Sequence, residues 1–449
     1  MLRTTVSGIV IGLGYTVVTG FAPSATADPP ATDTPGVVQE SFAVHGEFTY
    51  VEQEDSDFTA PYAGANSLTP DNGRETTDAS LSIGAALWSG AEVWIDPEVD
   101  QGSGLDNTLG VAGFPNGEAY KIGSNAPYFR LQRLFVRETL NAEGEREPVE
   151  PSAGTLGGEQ SVNRWVFTLG KFSVTDVFDN NSYAHDPRGD FLNWAALDAG
   201  AFDYAADAWG YTVGAAAEWY HGQWTLRAGI FDLSDVPNSA RLEPGFDEFQ
   251  MIAEVEHRHE IAGLAGKLLI TGFESRGRMG LLDEAVELAD ASGTAANVAA
   301  VREYRSRFGG LVNFEQALPA NLGIFARYSK AAGNVEAYEF SDIDRSIEVG
   351  LSLKGVAWRR DRDTVGIALI DNGISAGREQ YLNAGGLGIL VGDGKLPHPG
   401  PEEIVETYYS AALCSYAQLT LDYQRIENPA YNRDRGPVSV FAVRVHAQF

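Results

Sequence analysis

The chain has 449 residues, with 50 Gly, 22 Phe, 18 Tyr and 8 Trp, and turn-formers cut its apolar stretches into short pieces; this is a profile of many strands and few helices. A formal net charge of −30 makes nucleic acid and acidic membrane surfaces poor partners for the molecule as a whole. The single cysteine, Cys414, excludes an internal disulfide and a multi-cysteine metal site, and a lone thiol on a strand reads as buried filler.

In chain order, the first segment reads as a secretory signal. Arg3 precedes an apolar run over residues 6–21, and Ala25 and Ala27 occupy the A-x-A cleavage positions, which predicts a signal peptide over 1–27 and the mature chain over 28–449. Gly, Thr and Tyr interrupt the run, and it falls short of the ~20 apolar residues that a spanning helix needs. Strands are expected from about residue 42 onward. In YFRLQRLFVRETL, residues 128–140, Arg130 is out of phase with Arg133 and Arg137, which calls for a bulge or an inward loop. Residues 209–219 and 223–233 form a hairpin about Tyr220-His221-Gly222. Further hairpins turn at Ile261-Ala262-Gly263, at Leu318-Pro319-Ala320, at 359–362 and near Cys414-Ser415.

Between these hairpins lie longer connections at 176–207, 234–248, 275–301, 331–342, 372–402 and 428–436. About sixteen strands are predicted, with short turns on one side, long connections on the other and both ends on the short-turn side. Within the connection 281–304, Leu281, Ala285, Leu288 and Ala289 share one helical face, which predicts a helical cap over the loop side.

The alternation within strands identifies the solvent. Leu419, Leu421 and Tyr423 oppose Thr420, Asp422 and Gln424; Trp224, Leu226, Ala228 and Ile230 oppose Gln223, Thr225 and Arg227; Ile347, Val349, Leu351 and Leu353 oppose Ser346, Glu348, Ser352 and Lys354. The final stretch repeats this, with Phe441, Val443, Val445, Ala447 and Phe449 on one face and Arg444, His446 and Gln448 on the other. A soluble sandwich would have to bury all the apolar faces inside, whereas a closed barrel in lipid turns them outward and leaves the polar face to a water-filled lumen. The expected class is therefore all-β, a transmembrane antiparallel barrel. Trp88, Trp94, Trp219, Trp224, Trp358, Tyr328, Tyr423 and Phe449 would form its interfacial girdles, and the last strand would pair back to residues 42–50.

HGEFTYVEQ at 45–53 with APYAGANSL at 60–68, GKFSVTDVFDNNSYAHDPRGDFLNWA at 170–195, and DYQRIENPAYNRDRGPVSVFAVRVHAQF at 422–449 resemble the carbohydrate-selective porin family, the OprB-like porins. The resemblance runs in order from about His45 to the end. It implies a sixteen-stranded outer-membrane barrel through which small sugars diffuse along a narrowed, arginine-containing channel. It also implies that the final Phe449 belongs to the signal read by the barrel-assembly machinery. It assigns no constriction residue, so those positions come from strand parity.

Parity places Arg133, Arg137, Arg164, Arg227, Glu254, Glu256, Arg305, Arg307, Arg327, Glu348 and Asp422 on the lumen wall. Arginine suits a sugar path because its fork presents five donors to hydroxyls and keeps its charge. Each of these charges can equally be paired with a cross-strand neighbour and select nothing. The loop NNSYAHDPRGDFLNWAALDAGAFDYAAD gathers Tyr183, His185, Asp186, Arg188, Asp190, Trp194 and Tyr204. Folded inward they would form an eyelet; folded on themselves they would form a compact loop core.

Chemistry finds little support. His185, Asp186 and Asp190 stand without a second ligand cluster, and GDGK at 392–395 lacks the leading Gly and following Ser or Thr of a phosphate loop. No cofactor, metal or catalytic group is expected. The partners are small carbohydrates, outer-membrane lipid and the assembly machinery, with a homo-oligomer left open. A general-diffusion porin, a barrel enzyme and a sugar-binding surface protein remain as alternatives.

Overall fold

The computed structural model describes residues 39–120 and 123–449, so the expected signal peptide over 1–27 lies outside the described residues. The first strands are β1 (Phe42–Asp55), β2 (Gly73–Trp88), β3 (Ala91–Gly102) and β4 (Tyr128–Asn141), followed by a small hairpin, β5 (Arg146–Val149) and β6 (Gly158–Ser161). Next come β7 (Arg164–Phe172), β8 (Thr212–His221), β9 (Trp224–Asp232), β10 (Phe249–Ile261), β11 (Leu264–Met279) and β12 (Glu303–Leu318). The last are β13 (Leu322–Ala331), β14 (Arg345–Gly355), β15 (Arg360–Gly373), β16 (Glu402–Ala412), β17 (Ala417–Glu427) and β18 (Val438–Gln448). All except β5 and β6 join one closed antiparallel barrel, sixteen strands round.

β18 closes on β1, with Glu47 opposite Gln448 and Asp55 opposite Val440. The closing partner therefore starts later than the predicted 42–50. Closure leaves no open strand edge, so every ladder donor and acceptor finds a partner without water. The outer face is apolar along each strand: Phe441 and Val443 of β18 and Ile347 and Val349 of β14 are exposed, while Arg444, His446, Ser346 and Glu348 are buried inside. At Ala262-Gly263 the turn between β10 and β11 has positive φ at both positions, 55 and 75, the geometry that matches strand twist and that glycine adopts without strain.

The parity break in β4 is a bulge. Pro97 of β3 has no N–H to give to the ladder, and opposite it Gln132 is the extra residue between Leu131 and Arg133. Arg130 and Arg133 consequently both reach carboxylates inside the barrel, Asp207 and Asp176.

Four expectations are corrected. Trp94 is not a girdle residue: it is fully buried, packed over Gly84 and beside His45, because its position in β3 points inward. Trp88, Trp224 and Phe449 are exposed, as a girdle requires. The helix α2 (Leu282–Ser292; α1 is Trp194–Leu197) buries Leu282, Ala285 and Ala289, and Leu288 is 46% exposed, since the buried face begins one residue later than predicted. Cys414 lies in the turn between β16 and β17 and is half-buried, so it is not strand filler. Residues 142–163, between β4 and β7, are no short turn although they lie on the short-turn side. On the loop side, α3 (Ala376–Asn383) starts at Ser375, whose Oγ accepts the Arg378 N–H at 3.1 Å.

Candidate functional site

Two of the described loops run far down inside the barrel wall. Residues 173–211, between β7 and β8, are rich in alanine where they meet the wall, and Ala195, Ala196, Ala199, Ala201, Ala205 and Ala206 are all buried. Small side chains let this backbone lie close to the strands, and its polar groups then need wall partners. Glu254 of β10 accepts the Asp179 N–H at 3.0 Å, Glu315 of β12 accepts that of Ser182 at 2.6 Å, and Glu406 of β16 accepts those of Leu192 and Asn193 at 2.5 and 3.1 Å. Arg327 of β13 donates to the carbonyls of Ala184, Ala196 and Leu197 at 2.5, 2.9 and 3.0 Å and pairs with Glu348 of β14 at 3.2 Å. Hydrogen bonds to charged groups contribute about 1.5–3 kcal/mol each, so this row holds the loop as part of the wall.

The second inward loop, residues 103–120, follows β3. Glu402 of β16 accepts the N–H groups of Ala112 and Gly113 at 3.0 and 2.8 Å, and Gln53 and Gln424 both donate to the Pro115 carbonyl at 2.8 Å. Asn193 donates to the Gly113 carbonyl at 2.8 Å and ties the two loops together.

Between these loops and the wall lies a cavity of about 560 Å³, bounded on the wall side by β1 to β4 and β7. Two charge groups line it. Arg133 holds Asp176 in a bidentate pair, Nε and Nη2 donating to its two carboxylate oxygens at 2.8 and 2.7 Å, with Asp96 3.6 Å from Nη1. Arg188 is surrounded by Glu47 at 3.0 Å, Asp78 at 3.4 Å, and Glu98 and Glu118 at 3.5 Å. Burial pushes Glu118 well above the usual carboxylate range despite Arg188. Arg133 holds Asp176 below that range, outweighing the partial loss of water around it. An aromatic group stands beside them: Phe114 stacks on Trp194 at 5.1 Å, and Tyr204 and Phe340 pack against Trp194 at 5.7 and 5.4 Å.

A second space of about 1080 Å³ opens toward the short-turn side. Arg137, Thr155, Asp176 and Asn180 line both spaces.

Arg133, Arg137, His185, Asp186, Arg188, Trp194 and Tyr204 line the central cavity. Arg164, Arg227 and Glu256 line the outer space, where Arg227 bridges Glu218, Glu254 and Glu256 at 2.9, 2.7 and 2.9 Å. Glu254, Arg305, Arg307, Arg327, Glu348, Asp422 and Tyr183 line neither. The physical reason is common to most of them: a loop covers their part of the wall. Arg307 pairs with Asp203 of the first loop at 2.8 Å, Arg305 reaches Glu284 of α2 at 2.8 Å, and Tyr183 packs over Gly323. Parity identified the inner face of the wall; it carried no signal for what lay over it. Phe114, Glu118, Tyr120, Tyr211 and the tip Ser152 to Thr155 also line the cavity and were not anticipated, although the turn-rich stretch LGVAGFPNGEAY marks the loop that brings the first three.

A sequence model of the carbohydrate-selective porins, OprB family, matches residues 65–449. Among solved structures, the high-pH structure of Pseudomonas putida OprB is 14% identical, covers 91% of this chain and 94% of its own, and has a TM-score of 0.68. The low-pH structure of the same protein gives 12% identity, 91% and 93% coverage and a TM-score of 0.48. The outer-membrane channel DcaP of Acinetobacter baumannii gives 10%, 92% and 100%, and 0.49. No curated protein matches. With a closed sixteen-stranded barrel and a family match over most of its length, the chain belongs to the carbohydrate-selective porin, OprB family, of the bacterial outer membrane.

Proposed function

We propose that the protein is a passive pore for small carbohydrates, selected in a narrowed channel lined by arginine. The observation that carries this reading is the joint lining of one cavity by Arg133, Arg188 and the Phe114–Trp194 stack. A pyranose offers apolar faces to an aromatic ring and hydroxyls at its rim. Guanidinium donors and carboxylate acceptors replace part of the hydration of those hydroxyls, and water-filled surroundings keep the binding weak enough for release. Lipid meets the apolar outer face, and the last strand is the part we assign to recognition by the assembly machinery. The protein is read as a channel, with no catalytic role given to any residue. Each barrel holds its own path.

The test is conductance of purified barrel in planar bilayers with glucose added. Stepwise ion current reduced by glucose supports the reading. Current that no sugar reduces favours general diffusion, and a barrel that never conducts overturns the pore.

A further inference from the structure

The connection between β4 and β7 differs in kind from turns such as Ser89-Gly90 or Ala262-Gly263 on the same side of the barrel. It forms the hairpin of β5 and β6 and then sends its tip, residues 150–157, back against the inner wall. Glu92 of β3 accepts the Leu156 N–H at 3.1 Å. Arg137, facing Glu92 across the β3–β4 ladder, donates to that carboxylate at 3.0 Å, to the Gly154 carbonyl at 2.6 Å and to Thr155 Oγ1 at 3.4 Å. The tip is closed on itself by two backbone bonds between Ser152 and Thr155, 3.1 and 3.0 Å, and Gly154 supplies the left-handed conformation it needs, φ 79. Glu40 holds its far end, donating its N–H to the Gly157 carbonyl at 2.9 Å and accepting the Gly157 N–H at 2.8 Å.

The position of the tip is what gives it a role. Ser152, Ala153, Gly154 and Thr155 line the central cavity, and Thr155 also lines the outer space. Opposite stand Asp176 and Asn180 of the first inward loop, which line both as well. The segment therefore stands where the arginine and tryptophan cavity borders the outer space. Its lining residues are small, and Ser152 and Thr155 carry hydroxyls that keep the surface wet.

We propose that residues 150–157 form a second narrowing at the periplasmic exit that sets the upper size of the sugar, with Arg137 as the residue that positions it. The inference rests on the pore reading above. It separates two tasks: recognition at the cavity, and a size limit at the exit.

The experiment uses the full barrel in planar bilayers and in swelling liposomes. Thr155→Cys is made in a Cys414→Ser background and treated with a bulky thiol-reactive reagent. Wild type, whose Cys414 lines neither space, serves as the labelling control. Labelling at residue 155 should remove about half of the current or more, and labelling of wild type should leave it unchanged. A second variant, with 143–161 replaced by a short glycine turn, should admit oligosaccharides that wild type excludes and keep its block by glucose. Arg137→Ala should move the size limit the same way. If wild type conducts and is blocked by glucose, yet complete labelling at 155 or removal of the tip changes neither current nor size limit, the tip only braces the rim and this inference fails alone. A wild-type barrel that does not conduct overturns both readings.

Discussion

Arg188 is outnumbered by its own partners, and replacing it with alanine should raise the preference of the pore for cations. In the cavity, Arg188 and Arg133 face Glu47, Asp78, Glu98, Glu118, Asp96 and Asp176. Carboxylates exceed guanidiniums there, so wild type should already favour potassium over chloride. A unit charge 4 Å from a passing ion is worth about 1 kcal/mol in bulk water and about 4 kcal/mol at the effective dielectric of a partly screened site. The lower figure alone shifts an ion preference by about fivefold, given that 1.36 kcal/mol is tenfold. Reversal potential in a potassium chloride gradient reads this directly. Arg188→Ala should move it toward the cation limit by that amount or more, and Arg188→Lys, which keeps the charge and loses the fork, should stay near wild type. A folded Arg188→Ala barrel with an unchanged reversal potential, or an anion-preferring wild type, would refute the reasoning.

The same charge excess predicts that gluconate enters liposomes more slowly than glucose through wild-type pores and that glucosamine is not disfavoured; equal swelling rates for the three would contradict it. Trp194→Ala should weaken glucose block of the current by about two- to tenfold, the range expected when one aromatic pair is lost, while leaving single-channel conductance at or above wild type. Arg307→Met should destabilise the barrel by roughly 3–5 kcal/mol, since it leaves the fully buried Asp203 carboxylate with backbone N–H donors but no countercharge at 2.8 Å; urea unfolding in detergent measures it. Partial burial of His185 disfavours its charge, but Asp198 at 3.4 Å outweighs that and raises it above the ordinary 6.5. The pair therefore contributes stability that is fully present below pH 6.5 and is lost as pH rises through the raised value. Cation preference should increase over the same interval, and His185→Gln should abolish that pH dependence.

The wall was legible because two solvents act on it. With lipid outside and water inside, an unbulged strand keeps a two-residue period, so Phe441 to Phe449 and Ile347 to Leu353 revealed their faces without any contact information. The bulge at Gln132 was visible as a phase error between Arg130 and Arg133, since a slipped period is all that a bulge leaves in sequence. The inner loops left no comparable mark. Whether Arg327 meets a sugar or the carbonyls of Ala196 and Leu197 depends on a segment more than a hundred residues away, and both outcomes use the same side chain on the same face. The tip at 150–157 was missed for a related reason: it breaks the short-turn rule of its side, and composition alone does not show into which space a hairpin folds.

The arginines fall into two physical classes that sequence parity cannot separate. Arg307 and Arg327 have side chains 0% and 1% exposed and are held by carboxylates and carbonyls. Their charge is spent on fixing the loops, and a solute never reaches them. Arg133, Arg137 and Arg188 keep 24%, 20% and 16% of their side-chain surface open, although each is also paired. Only a guanidinium that retains free edges can lend a donor to a hydroxyl and take it back, which is what weak, reversible recognition requires. The braced class makes the exposed class possible: without the row from Glu254 through Arg327 to Glu406, the loop bearing Arg188 and Trp194 would have no fixed distance from β1 to β4. On the proposed reading, selectivity is shared between Arg133 and Arg137 on β4 and the loop that carries Arg188 and Trp194, which the buried arginines hold in place.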